Sequence, residues 1–519
     1  MKIVRQNSFF SKVLLFIKCF LTADRPLLLP AIFCAMTSYF ALKSYIMLTA
    51  TVVLISSVIA ISIFFKFSVK NLIGYLFCVV LAFSVFSFKN DINISKQSSA
   101  QKLRGNFLIT EMNETDKGFN GVLKVVKCSN HDIKRGTKIS FYTSKPDFKT
   151  GDRILTEIEA ESALNGEYEE YNLSEGILYS SKIDGIVAVS GKNRIYSFAE
   201  GTGSYINSLI SEYTDKNVSS TIAGLLIGDK SGFSDEFSEN IRHSGVSHVM
   251  VVSGMHLAII MSAVNSFIKK MFYNRFIRFV CSASSVFYIM AVCGFTPSIL
   301  RAGLMYIILS SSILCGRDGD SVNALSLSVC FILIFSPCTV FNISFQLSVL
   351  STLGILLLNP VFERCLRLKN DFTGKTVSSI LTSVSALIFT APITVFKFKE
   401  FSLSALLTNL LISQAVTAVL VGMLITVFVS VIPLLSLTVS PMFKILSVFV
   451  KYINYIINTL GSMCDSYIEC GKSFLILTAS VWIASVLLLK TLKALKLIKR
   501  KESGEIIGGN SRVSVNKAS

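Results

Sequence analysis

The chain has 519 residues, 52% of them hydrophobic and only 16% charged, with 40 Phe and a positive mean hydropathy, a composition that excludes a water-soluble globule and implies a bilayer. The formal charge of +18 fits a nucleic-acid partner but equally the basic cytoplasmic loops that any polytopic protein collects, so alone it decides neither. The twelve cysteines are scattered, with Cys78, Cys281, Cys330 and Cys338 inside apolar runs and no CxxC pair or zinc-like spacing, which makes them packing residues.

Apolar stretches near 28–42, 46–65 and 72–88 approach the roughly 20 apolar residues that span a bilayer. Lys2, Arg5, Lys12, Lys18 and Arg25 precede the first, and Lys66 and Lys70 separate the second from the third. The positive-inside rule therefore places the amino terminus in the cytoplasm. No cleavable leader is expected, because the first apolar run is mixed with Lys12 and Lys18. Residues 1–89 are read as amino-terminal membrane helices.

Residues 90–218 are polar and hold no spanning stretch, and with the amino end inside they fall on the extracytoplasmic side. Alternating runs at Gly121–Lys127 and Lys138–Tyr142 predict strands of a small β domain. Within it, residues 117–153 carry nine basic side chains against Asp132, Asp147 and Asp152, whereas residues 154–176 carry seven Glu and no Lys or Arg. The basic stretch is either a solvated face or a surface for phosphates. The second option needs stacking aromatics, for which Phe141, Tyr142 and Phe148 are the nearby candidates.

From 219 onward the sequence is apolar again, with spans expected near 246–268, 276–293, 298–315, 322–336, 342–359, 376–394, 402–430, 434–459 and 473–490. With the first three they make about twelve transmembrane helices, an even number that returns the carboxyl end to the cytoplasm, in agreement with Lys490, Lys493, Lys496, Lys499, Arg500 and Lys501. The same count puts Lys269, Lys270, Arg275 and Arg278 inside, while Lys397 and Lys399 fall outside as an exception. Residues 219–500 form the main membrane domain, and residues 501–519, rich in Gly, Ser and Asn, are expected to be a disordered cytoplasmic tail.

Three of the four histidines, His243, His248 and His256, fall within fourteen residues. If 246–268 is helical throughout, His248 and His256 lie about 12 Å apart along the axis and about 80° apart in direction, too far to share a metal. No HExxH spacing surrounds them, and neither metal nor cofactor is expected. Ionisable groups in a span are costly unless they face water or the protein interior, so His248, Ser253 and His256, with Gly254 thinning the helix, suggest a solvated passage. Histidines bonded to backbone carbonyls at a kink are the alternative. Upstream, Gly224 to Ser234 (GLLIGDKSGFS) departs from a phosphate loop in spacing, with Asp229 between Gly228 and Lys230. It predicts a turn into the short amphipathic stretch Asp235–Arg242, which is too short to span and fits a re-entrant hairpin between Ile227 and Val246. Arg301 sits in the first turn of a span opening with Pro297 and Ser298, free either to snorkel outward or to point into the passage. Asn323 and Gln346 are further polar residues near apolar spans that must find partners in the bundle.

These stretches resemble the ComEC-type DNA-uptake channel family. Gly224–Ser234 is similar to that family's turn L-x-G-D-K/R-x-G, Ser244–His256 (SGVSHVMVVSGMH) to its hallmark glycine- and histidine-bearing segment, and Pro297–Ala302 (PSILRA) to its P-S-x-x-R-A. Asn323-Ala-Leu and Phe345-Gln-Leu-Ser follow in the family's order, and Asn165–Tyr171 looks like a degraded form of the stretch that closes its amino-terminal β domain. Ser344 and Met255 stand where Gly and Leu are usual, and His243 matches no family histidine.

The resemblance implies an OB-like fold for the β domain and a polytopic α-helical channel passing single-stranded DNA through the inner membrane during natural transformation. Asp229, Lys230, His248, Ser253, Gly254, His256, Arg301 and Gln346 would lie along the pathway. Single-stranded DNA and the lipid bilayer are the partners implied, with a DNA receptor, a separate nuclease and a cytoplasmic translocase or helicase as further ones. Many relatives carry a carboxyl-terminal metallo-β-lactamase-like domain; no H-x-H-x-D-H run follows Lys501, and none is expected here. A membrane hydrolase or transferase using Ser253 with His248 or His256 is the alternative, although the Gly-x-Ser-x-Gly elbow and a nearby acid are missing. A structural envelope protein is a third.

Overall fold

A computed structural model of the chain describes residues 101–463 and 467–469, apart from short breaks at 116–117, 130–132, 145–147, 165–167, 184–187, 318, 367–370 and 403. The expected spans at 28–42, 46–65, 72–88 and 473–490, and the tail at 501–519, lie outside the described residues.

The polar segment folds as strands β1 (Gln101–Thr115), β2 (Gly118–Cys128), β3 (Lys138–Thr143), β4 (Asp152–Ser162), β5 (Ile177–Lys182) and β6 (Ala188–Lys192), with helix α1 (Glu169–Glu175) between β4 and β5. Alternation drives it. Along β4, Ile154, Thr156, Ile158 and Ala160 point inward and Arg153, Leu155, Glu157 and Glu159 outward, which buries one face and wets the other. The order is β1-β2-β3-β5-β4, with β3 and β5 parallel, and β4 pairs back onto β1, closing a five-stranded barrel whose edge at β4 also carries β6. This is the OB-like barrel. Leu103, Phe107, Ile109, Leu123, Ile139 and Ile154 fill it with no exposed surface. Phe141 and Phe148 are buried against each other, ring centroids 5.8 Å apart, so neither offers the stacking face that nucleic-acid contact through the basic stretch required.

Helices α2 (Arg194–Tyr213), α3 (Lys216–Leu226), α4 (Asp235–His243), α5 (Gly254–Met271), α6 (Arg275–Val292), α7 (Pro297–Leu314), α8 (Ser321–Phe335), α9 (Ile343–Leu366), α10 (Phe372–Phe398), α11 (Ala405–Ser430) and α12 (Val439–Gly461) follow. Among the described residues six helical segments are long and apolar enough to cross a membrane: α6, α7, α9, α10, α11, and α12 with the 3-10 turn before it. The expectation of twelve spans is not supported. Of the expected spans within the described region, the one at 246–268 is helical only from Gly254, and α5 carries His256, Asn265, Lys269 and Lys270; the one at 322–336 is α8, with only 15 residues. Outward side chains such as Phe396, Phe428, Leu434 and Leu437 leave a greasy perimeter of the kind that faces lipid.

Barrel and bundle interlock. The 3-10 turn Pro337–Phe341 packs on α1, and its Cys338, fully buried, belongs to the barrel's own core. Glu175 Oε1 accepts from Asn342 Nδ2 at 2.8 Å, and Asn342 Oδ1 in turn caps α9 by accepting from Phe345 N–H at 3.0 Å. Lys397 at the end of α10 pairs with Glu170 at 3.1 Å, and Tyr196 packs against Phe295 in the α6–α7 turn.

Candidate functional site

α3 ends at Leu226, and Gly228 turns the chain with φ +87°, a conformation open to glycine. Asp229 Oδ1 then accepts from the Ser231 amide at 2.9 Å and the Ser231 hydroxyl at 2.7 Å, so this carboxylate shapes the turn while Lys230 stays exposed. Ser234 caps α4 through the Phe237 amide at 3.2 Å; acidic Asp235 and Glu236 open the helix and basic Arg242 and His243 close it, matching its dipole. Gly245, at φ +70°, follows where a Cβ would lie 2.5 Å from Ala405 Cβ, and the Ser402 hydroxyl donates to the His243 carbonyl at 2.7 Å.

Residues 246–253 are not helical, which overturns the geometry expected for His248 and His256 on one straight helix. Val246, Val249, Met250 and Val252 anchor this irregular strand of chain in the core shared by α3, α4, α11 and α12 and in that of α5–α7. Ser247 and His248 point the other way. His248 is exposed, and its ring bonds the Gly245 backbone.

Ser253 takes an extended conformation at the head of α5 and makes no side-chain cap. It bonds neither histidine among the described residues. His256, in the first turn, has no exposed surface, and both ring nitrogens lack a hydrogen-bond partner. Arg301 points inward rather than snorkelling: it is 5% exposed, its Nη1 donates to Thr352 Oγ1 at 2.7 Å, and it belongs to no ion pair among the described residues. Its Nη2 lies 2.7 Å from where a Cβ on Gly254 would stand, so only glycine lets the guanidinium rest on the head of α5.

Gln346 is spent on structure, its Nε2 donating to the Val340 carbonyl at 2.6 Å. The structure brings together Gly254 and Arg301, with Ser253 and His256 beside Gly254 at the head of α5. Thr352, which holds Arg301, was missed. Nothing singled it out in the run after Gln346, which also holds Ser348 and Ser351.

Fold and site define a multi-pass membrane protein in which an OB-like barrel is docked on a helical bundle whose centre is an irregular, partly polar hairpin. Residues 225–495, just over half of the chain, match the family model described as Competence protein, and the chain belongs to that family. ComE operon protein 3 of Bacillus subtilis (strain 168) is 24% identical over 249 residues, covering 47% of this chain and 31% of that protein. An Aquifex aeolicus (strain VF5) protein, described as uncharacterized, is 31% identical over 170 residues, 33% of this chain and 38% of its own. The matched segment thus spans about a third of the length of these curated relatives. No solved structure matches the chain.

Proposed function

We propose that the chain takes part in DNA uptake for competence as the inner-membrane conduit for a single DNA strand. One observation carries the reading: a non-helical segment, residues 246–253, bears the exposed His248 and leads into α5, against whose head Arg301 is buried without a carboxylate partner among the described residues. Irregular backbone and charge are tolerated at membrane depth where they line a hydrated path. A strand carries one charge per nucleotide, so a path needs polar and cationic groups spaced along it without one tight trap. Lys230, His248, Ser253, His256 and Arg301 supply that series.

The barrel faces outward and both termini face the cytoplasm in this reading. Support comes from charge: Lys269, Lys270, Arg275 and Arg278 gather where α5 meets α6, at the end of α6 opposite Phe295, which packs on Tyr196 in the first turn of α2, the helix that follows the barrel. There an open cleft of about 560 Å³, lined by Lys269, Arg275, Arg278 and the fully exposed Tyr273, offers cations and a stacking ring to an emerging strand. A receptor outside, a separate nuclease and a cytoplasmic translocase would complete the route.

Uptake of labelled single strands by a deletion strain complemented with His248→Ala or Arg301→Ala tests the proposal. With insertion unchanged, each variant is expected to lose about tenfold or more, as the loss of one charge-assisted contact of roughly 1.5–3 kcal/mol implies. Wild-type uptake by both would sink it.

A further inference from the structure

The head of α5 presents an electrostatic conflict. An 18-residue helix begins at Gly254 with no side-chain cap, and its amino end carries the equivalent of about half a positive charge. The Arg301 guanidinium rests against that end, within 2.7 Å of the position a Gly254 Cβ would take. Two like charges in contact, away from water, repel, and no acidic side chain relieves them among the described residues: Arg301 Nη1 has only the Thr352 hydroxyl and the Met305 sulfur, and Nε has no partner. In the same first turn, His256 is fully buried with both ring nitrogens unpartnered.

We propose that the amino end of α5 and the Arg301 guanidinium together form a site for one tetrahedral oxyanion, a phosphate group. The unpaired amides of a helix start and the planar fork of an arginine are both matched to such a group, and an anion there converts the repulsion into two attractions. Gly254 fits this role because a side chain would separate the two halves of the site. Thr352 is a positioning residue that fixes the fork from behind. Resting on the conduit reading, the phosphate is one from the backbone of the passing strand, so the site is a station that engages one nucleotide step at a time.

The experiment follows the thermal unfolding midpoint of the purified full chain in detergent as inorganic phosphate is added at constant ionic strength, with potassium gluconate as filler. One-site binding to the folded state raises the midpoint with phosphate concentration in the wild type. Arg301→Gln abolishes the rise, and Arg301→Lys weakens phosphate roughly tenfold because a lysine is a point charge without the fork. Thr352→Val, which keeps the packing, gives an intermediate loss and serves if Arg301→Gln fails to fold. No rise in the wild type, or an undiminished rise in these variants, overturns the site. A second arm adds a short oligothymidylate. Loss of the phosphate effect in its presence ties the site to the strand. Arg301-dependent phosphate binding that the oligonucleotide leaves untouched keeps the anion site and overturns the conduit reading at this point.

Discussion

Gly254 shows how much one missing methyl decides. A Cβ there would meet Arg301 Nη2 at 2.7 Å and Ala302 Cβ at 3.1 Å, so the guanidinium, buried and bonded to Thr352, would have to shift and give up its place. Gly254→Ala is expected to destabilise the folded chain by about 1–3 kcal/mol, the usual cost of overpacking, read as a lower thermal midpoint in detergent. An unchanged midpoint would mean that the arginine is not fixed where it stands. The sequence made Gly254, His256 and Arg301 visible because polar or small residues stand out against apolar runs. It could not pair them: Gly254 and Arg301, and Arg301 and Thr352, are brought together by helix packing that no local period encodes. Nor could spacing show that Phe141 and Phe148 face the barrel interior together while Tyr142, between them in the expectation, does not.

At the scale of elements, legibility followed periodicity. β2 and β3 lie where alternation placed them, and α6, α7, α10 and α11 follow the apolar runs closely. The start of α5 did not, because Val246 to Val252 is as apolar as a helix; a buried irregular segment and a buried helix share that composition and differ only in what bonds their backbone. Barrel closure through β1 and β4 was equally silent, since it joins strands whose sequences say nothing of each other. The junction between α1 and α9 makes a further expectation concrete. Asn342 caps α9 and also donates to Glu175, so Asn342→Ala is expected to cost about 1–2 kcal/mol for the cap and a further increment for the bond to the carboxylate. A double-mutant cycle with Glu175→Ala, which removes the acceptor, isolates that increment, and a coupling energy of zero would show that barrel and bundle are not joined there.

For the whole molecule, the orientation is the claim most open to direct measurement. On a cysteine-free background, Ser129→Cys on the exposed rim of the barrel is expected to react with an impermeant maleimide on intact cells, and Tyr273→Cys only after permeabilisation. The opposite pattern would invert the conduit. Burial of Cys338 among the barrel's strands has a consequence in time rather than in space. Ribosomes add roughly 5–20 residues per second, so the last barrel strand emerges on the order of ten seconds before the residue that plugs the interior. Until α8 has been made and the turn beyond it reaches α1, the buried cluster of the barrel lacks Cys338. The barrel is made first and finished last, and its completion reports that the membrane half behind it has arrived.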